Sequence, residues 1–474
     1  MFAFLQRNSI LFLSVTRRPL RPCAVPARAM AAPGQQPPAG VRGMTRLDRT
    51  AFQRPLDVCA LRLPAADIAP ILKLLKTQML RVPHLRPVQP LGELPLMESS
   101  GGGEPGADAP AADGPDQKVV LLDPERVPDA GGLPWSGLEP LGLSAADSPL
   151  RLTLRLAYDN YRADAVLRAV LPDGQDGCTS FSRVGHLIHL NLKEHLLPYG
   201  ELIGQVLMDK HPGVRTVVNK LNTIDNTFRN FSMQLLAGEA DYLVEARENG
   251  CSFRMDFSKV YWNPRLCTEH ERLVSQLQPE DTLYDACAGV GPFTVPAARK
   301  RCRVLANDLN PESFHWLQHN VTANKVQDRV QTFNMDGREF IRTEVRRGLR
   351  ERLAAPAAAG RLHVVLNLPA LAIQFVDAFV GLLSPDEVPA DQVVPLRAHV
   401  YTFTKELSAA ERSVTEALCT NVGRDVSRHL REVFLVRNVA PNKLMYRVTW
   451  DVPAEVLCAM DDGPVLKKAK LTEP

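Results

Sequence analysis

Between Met1 and Leu47 there is no Asp, Glu or Lys, and seven arginines carry all the charge. They are Arg7, Arg17, Arg18, Arg21, Arg28, Arg42 and Arg46. Arg-rich, acid-free sequence is the composition of a mitochondrial presequence. An unaddressed leader is the bland alternative. Met30 and Met44 could start shorter products without most of that signal, which adds nuclear and cytoplasmic pools to the expectation. Long apolar runs are also missing. Ile10 to Val15, the longest early one, is too short to span a bilayer. The nine cysteines include no Cys-x-x-Cys pair and no His/Cys cluster, which argues against a structural zinc and a disulfide framework. No metal site is expected, and a reducing compartment fits. A net charge of +3 is too mild to imply a nucleic-acid partner by bulk charge alone.

At 474 residues the chain has room for two or three domains. Residues 48–90 read as a small ordered module, with a strand over Val58–Leu63 and helical spacing at Ile68, Ile71, Leu72, Leu74 and Leu75. Residues 91–149 are rich in Gly, Pro and small side chains and read as a flexible linker. Residues 150–262 read as an α+β domain. Its expected elements are a helix over 150–171 broken by Asp173-Gly174, a strand Phe181–Leu192, a helix Glu201–Met208 and a strand Val214–Leu221. Asn249-Gly250, between Tyr242–Arg247 and Cys251–Tyr261, predicts a hairpin.

From 263 to 455 strands and helices alternate, which predicts a doubly wound α/β sheet. Seven strands are expected, at Leu283–Cys287, Val304–Asn307, Val330–Asn334, Val364–Leu366, Val400–Phe403, Phe434–Asn438 and Met445–Val448. The short spacer Val439–Lys443 makes the last two a hairpin. Helices are expected at Glu312–Asn320, Phe375–Leu383 and Glu406–Thr420, and residues 343–361 read as a surface insertion or a helix. The tail from 456 ends in a basic cluster, Lys467-Lys-Ala-Lys470.

The run Asp285-Ala-Cys-Ala-Gly-Val-Gly-Pro-Phe293 reads as strand end, glycine turn and helix start. Gly289 and Gly291 let a ligand approach the backbone, and Pro292 suits a first helical position. An acid before the glycines repels phosphate and favours a ligand with a cationic part, such as S-adenosylmethionine. An ordinary strand–turn–helix junction stays open. Asp308, 17 positions after Gly291 with Leu309 beside it, can accept ribose hydroxyls, or simply cap the next helix. Asp336, followed by Gly337, can accept the adenine amine, or be a plain loop acid. Asn367-Leu-Pro369 ends the fourth strand where a reacting group would meet the donor, and Asn can bind a nucleobase edge. Basic residues such as Lys220, Arg229 and Arg265, with aromatics such as Phe228 and Trp262, suit either an RNA face or an ordinary charged surface.

With these residues in hand, the chain resembles the tRNA guanine-37 N1-methyltransferases of archaea and eukaryotes. Gly185–Leu192, Val218-Asn-Lys-Leu221, Phe228-Arg-Asn-Phe231, Arg247-Glu-Asn-Gly250, Val260–Leu266 and Thr268-Glu-His270 carry the resemblance. The Asp285–Phe293 run, Asn367-Leu-Pro369 and Val439–Lys443 complete it. The resemblance implies a class I (Rossmann-like) methyltransferase with a seven-stranded mostly parallel sheet, a smaller α+β domain and an N-terminal module that checks the tRNA. It implies S-adenosyl-L-methionine as donor and tRNA as partner, held by its anticodon stem-loop and body. The chain is expected to act as a monomer, away from membranes. Arg247 is similar to the family's active-site arginine and would stabilise charge on the guanine oxygen. Asn367 and Pro369 would hold the base, His270 would contact the donor, and Asp285 would be the general base or a donor-binding acid. Cys287 departs from the family, which more often has an aromatic there. A wyosine-pathway transferase that moves the donor's aminocarboxypropyl group, and a non-enzymatic tRNA-binding protein, are the competing readings.

Overall fold

The computed structural model describes residues 36–64, 68–97, 117–146, 148–172, 180–224, 231–355, 360–388 and 394–459. Most of the Arg-rich leader, Gly101–Gly103, Asp173-Gly174, Phe228–Asn230 and the basic tail lie outside them, as does the side chain of Phe231. The chain divides into two compact units, one built mainly from Asp48–Ala169 and the other from Val170 onward.

In the first unit an antiparallel sheet has the order β2-β3-β1-β4. Its strands are β1 (Arg54–Arg62), β2 (Val88–Pro90), β3 (Lys118–Leu121) and β4 (Pro149–Leu156), with α1 (Ala69–Leu75) following β1. Two expectations fail here. Residues 91–149 are not a linker throughout. β3 pairs with both β1 and β2, and Leu133, Leu138 and Leu143 bury against Leu61, Ile71 and Leu75. Four consecutive apolar residues, Val119 to Leu122, with β1 beside them, outweigh the Gly/Pro-rich composition around them. Residues 150–171 are not one helix. Leu154 and Leu156 point inward while Arg151, Thr153 and Arg155 face solvent, so β4 forms first. Only Ala163–Val170, α3, is helical, and the unit boundary moves from 150 to Ala169. A short α2 (Trp135–Leu138) completes the unit.

In the second unit the expected strand Phe181–Leu192 is two strands, β5 (Ser182–Val184) and β6 (Leu187–Leu190). Gly185 turns between them at φ +57°, where an added Cβ would lie 2.8 Å from the Glu245 carbonyl. With β7 (Thr216–Ile224) and β8 (Phe231–Gly238) they make a sheet ordered β5-β6-β7-β8, backed by α4 (Gly200–Lys210). The hairpin is present as β9 (Leu243–Glu248) and β10 (Cys251–Asp256). Asn249 and Gly250 take positive φ of 50° and 71°, as a two-residue hairpin turn requires.

The large sheet has strands β11 (Thr282–Asp285), β12 (Arg303–Asn307), β13 (Val330–Phe333), β14 (Leu362–Leu366), β15 (Leu396–Thr404), β16 (Leu430–Ala440) and β17 (Lys443–Asp451). Their order is β13-β12-β11-β14-β15-β17-β16. The first five are parallel, and β17 lies antiparallel to both β15 and β16. This is the expected class I arrangement, with every expected strand present. α5 (Cys267–Gln276), α6 (Thr294–Arg299), α7 (Pro311–Ala323), α8 (Gly337–Phe340), α9 (Arg346–Ala354), α10 (Ala410–Val422) and α11 (Ala454–Leu457) are its helices. Ala372–Phe379 is a 3₁₀ segment rather than an α-helix. α9 is no surface insertion, because Leu349 is fully buried and Gly348 lies against the Tyr284 hydroxyl. One core joins Phe253 and Met255 of the hairpin, Leu187 and Val218 of the small sheet, Leu283 of the large one and Leu317 of α7. The region 170–262 therefore packs into this unit.

Candidate functional site

The carboxyl ends of β11, β12, β13 and β14 open on a cavity of about 500 Å³, and the small sheet and the Tyr261–Leu266 segment close its other side. The reversal of strand order at β11 and β14 creates this crevice, the usual ligand position in such sheets. Gly289 turns at φ +56°, and a Cβ built there meets nothing within 4 Å, so its backbone lies open to the cavity. Gly291 has φ +101° and no place in the cavity wall. Its role is in the turn, where a Cβ would come 3.0 Å from Leu317 Cδ1.

Asp308 lines the cavity between two backbone donors. Gly289 N–H donates to Oδ2 at 2.8 Å and Asn310 N–H to Oδ1 at 2.9 Å. Burial pushes its carboxyl up to about 6, against the opposing pull of those two bonds. The helix cap itself is Asn310, whose side chain accepts from Glu312 N–H. Leu309 and Gly337 also line the cavity. Asp336 does too, while its Oδ1 caps α8 by accepting from Arg338 N–H at 2.8 Å. Asn367 and Pro369 lie in the wall, and Asn367 Oδ1 is buried without a partner. Unpaired buried acceptors are costly, so this atom is set for a ligand's donor. Trp262 Nε1 and His189 Nε2 are buried and unpartnered in the same wall. His270 lines it from α5.

Two expected residues are elsewhere. Asp285 is wholly buried and outside the cavity wall. Thr294 Oγ1 donates to its Oδ2 at 2.8 Å, so the carboxyl ties the strand end to α6. Burial first, and the nearby Asp308 as a smaller cause, push it up to about 7. That value suits a base, and its Oδ1, buried without a partner, is left for a second group. Arg247 is also outside the cavity, with an 85% exposed side chain, 3.9 Å from Glu245. Strand alternation explains it: Val244 and Glu248 face inward, so Arg247 faces out.

Lys220, Arg265 and Arg437 line the cavity; the first two were read only as an RNA face or a charged surface, and Arg437 had no assigned role. Lys220 rises from β7 over the Phe257 ring, 4.8 Å from its centre. Burial pushes its ammonium down to about 8. Burial, with Lys220 and Arg265 adding to it, pushes His189 down to about 3, so that ring is neutral. The signal for these residues was available. His189, Lys220, Trp262 and Arg265 all fall in segments that carried the family resemblance.

The geometry fits a nucleoside donor bound at the glycine turn. Gly289 exposes its backbone, Asp308 and Asp336 stand at the ends of the next two strands, and Asn367 holds an unpaired acceptor. Residues 244–415 match the TRM5/TYW2 methyltransferase domain, and residues 163–241 match the TYW2 N-terminal domain. A tRNA (guanine(37)-N(1))-methyltransferase of Drosophila melanogaster is 44% identical over 438 residues, covering 91% of this chain and 90% of the relative. The protein of that name in Danio rerio is 47% identical over 89% of this chain and 84% of its own. The one in Homo sapiens is 41% identical over 89% and 78%. Among solved structures, wild-type Trm5b from Pyrococcus abyssi aligns with a TM-score of 0.53 at 20% identity, covering 83% of this chain and 99% of that one. The aTrm5–tRNALeu complex aligns with the same score at 18% identity and the same coverage, and both speak for the fold. By full-length identity and by its methyltransferase domain, the chain belongs to the tRNA (guanine(37)-N(1))-methyltransferase family.

Proposed function

We propose that this chain transfers a methyl group from S-adenosyl-L-methionine to N-1 of guanosine 37 in tRNA, on the 3′ side of the anticodon. One observation carries the reading. A single cavity joins a nucleoside-sized cradle at the sheet edge to a cationic, aromatic wall. The donor, when bound, supplies an electrophilic methyl group. Gly289, Asp308, Leu309, Asp336 and Gly337 hold it, with His270 at one side. Asn367 offers its unpaired Oδ1 to a donor group of the guanine edge, and Pro369 fixes the turn that carries it. The guanine leaves its stack to enter. Trp262 presents an aromatic indole with an unpaired N–H in the same wall.

Guanine N-1 carries a proton at neutral pH, and negative charge grows on the neighbouring oxygen as that proton leaves. The role expected of Arg247 is assigned to Lys220, which lies in the cavity wall with its ammonium 4.8 Å from the centre of the Phe257 ring. Buried cations stabilise developing charge far more than solvated ones. Asp285, whose Oδ1 is buried without a partner, would take the N-1 proton as general base, with Thr294 Oγ1 holding its Oδ2.

The test is incubation of purified protein with unmodified tRNA transcript and labelled donor, followed by digestion and nucleoside mapping. 1-Methylguanosine at position 37 is expected, and label elsewhere, or none, overturns the reading. The matched domain is shared with TYW2, so the mass added is informative: an aminocarboxypropyl adduct selects the competing transfer.

Donor binding carries a pH signature. Asp308 titrates at about 6 and accepts hydroxyl donors best when ionised. S-adenosylhomocysteine affinity is therefore expected to rise about tenfold from pH 5 to pH 7, with proton release on binding. Asp308→Asn flattens the dependence. Calorimetry in buffers of different ionisation enthalpy reads both, and pH-independent binding removes Asp308 from the donor site.

We further propose a mitochondrial matrix location, with nuclear and cytoplasmic pools from products that begin at Met30 or Met44. The Arg-rich, acid-free leader supports it. Import of the 1–47 segment fused to a reporter tests it, and a reporter left wholly cytosolic refutes it. We also propose that the protein works as a monomer that contacts the anticodon stem-loop and body of the tRNA. Sedimentation with and without tRNA tests this.

A further inference from the structure

The Arg-Glu-Asn-Gly hairpin tip sends its arginine to solvent, which leaves its glutamate and asparagine to be explained. Glu248 is 6% exposed and His270 is 4% exposed, and they come from different elements, the end of β9 and the first turns of α5. Glu248 Oε1 lies 2.5 Å from His270 Nδ1. Asn249 reaches the same helix start. Its Nδ2 donates to the Cys267 carbonyl at 3.4 Å, and its Oδ1 faces the Cys267 thiol at 3.7 Å. Phe293, from the segment after the glycine turn, packs edge-on against the His270 ring with centroids 4.7 Å apart. The imidazole is thus fixed on two sides, and it forms part of the cavity wall.

We propose that Glu248 is a positioning residue for the donor site. Its carboxylate holds the proton of His270 on Nδ1 and so presents Nε2 to the cavity. The inference rests on the reading that this cavity takes the donor. A carboxylate accepts and does not donate, so the hydrogen between the two must sit on Nδ1. Nε2 has no partner among the described residues. A ring locked in one tautomer binds a ligand without first reorganising, which is the usual service of a carboxylate behind a histidine. Glu269 is the neighbour that could compete for the ring from the same helix. It is instead engaged by Tyr401 and Arg447. Arg247 and Glu245 face solvent on the hairpin's other side. Asp285 bonds Thr294, and Asp308 bonds Gly289 and Asn310.

The experiment has two readouts. Nitrogen NMR of histidine-labelled full-length protein, with His270→Gln used to assign the signal, reads the tautomer without any ligand. Wild type is expected to show a protonated Nδ1. Glu248→Gln, which accepts through oxygen or donates through nitrogen, is expected to show mixed tautomers. Its S-adenosylhomocysteine Kd is expected to rise about tenfold, a typical consequence of unsettling one buried polar partner. Glu248→Asp is expected to recover part of the loss. An unprotonated Nδ1 in wild type overturns the proposal even if every variant fails to fold. So does a Glu248→Gln protein with the wild-type tautomer and a Kd within twofold. Because the tautomer is read on the free protein, its outcome is independent of whether tRNA is methylated.

Discussion

Lys220→Met is expected to lower kcat for guanosine methylation about 100-fold while S-adenosylhomocysteine binding stays within about twofold, since one well-placed charge on a developing oxyanion is worth roughly 10²–10³ in rate. Met keeps most of the volume that Lys220 places over the Phe257 ring, so packing loss is small. The charge is the quantity removed. Lys220 titrates at about 8 because burial disfavours its ammonium. Its help is therefore present below pH 8 and lost as pH rises through 8. The wild-type rate is expected to fall above that pH, whereas Lys220→Arg, charged throughout, keeps a lower but flat rate there. Single-turnover kinetics across pH 6.5–9.5 separate the two. A Lys220→Met enzyme within threefold of wild type returns the charge-stabilising role to some other group.

The central strands β11, β12 and β14 of the large sheet were legible because each is a short apolar run between turn signals, and burial on both faces demands such runs. β4 was not. Leu150, Leu152, Leu154 and Leu156 alternate with polar residues, but Leu150 and Leu154 are also four apart, as are Leu152 and Leu156. A two-residue period therefore imitates one helix face, and the deciding contact is pairing with β1, nearly 100 positions away. β3 was hidden for a related reason. Four apolar residues vanish in an average over a glycine-rich stretch, though they are enough to fill a strand paired on both sides.

At the site, the expected glycine turn and strand-end acids line one cavity, because topology fixes those positions. Sequence says less about side chains whose direction depends on one residue of register. In the hairpin the motif drew attention to Arg247, while alternation placed Glu248 inside. At the end of β11 the position of Asp285 suggested a ligand contact, and Thr294, nine positions on, holds one of its two carboxyl oxygens. Lys220 and His189 belong to the small sheet, and nothing local to either residue says that this sheet closes the donor's crevice.

The largest stability effect is expected beneath that crevice. Arg447 is fully buried on β17, with Nη1 3.0 Å from Glu269 Oε1 and Nη2 2.7 Å from Glu432 Oε2. Tyr401 donates to the same Glu269 oxygen at 2.9 Å, and Arg272 bonds Glu432 at 2.5 Å. Glu269 precedes His270 on α5, so this ion cluster anchors the helix that walls the donor site. Arg447→Met leaves Glu269 with Arg272, 3.8 Å away, as its remaining cation. Removing one member of a buried pair typically costs about 3–5 kcal/mol, because the partner charge stays buried. Burial already holds Glu269 above the ordinary carboxylate range, with Arg447 the strongest opposing influence. Without Arg447 its folded-state pKa rises further. A carboxyl raised in the folded state stabilises at low pH, and that contribution is lost as pH climbs through the raised value. The deficit of Arg447→Met against wild type should therefore be large at pH 8 and shrink at pH 5, where Glu269 takes up a proton. Adding Glu269→Gln should recover much of the loss at pH 8, since an amide needs no counter-charge. Urea denaturation of the three proteins at both pH values measures this. A loss under about 1 kcal/mol at pH 8, below what any buried unpaired charge costs, means the cluster is hydrated and anchors nothing.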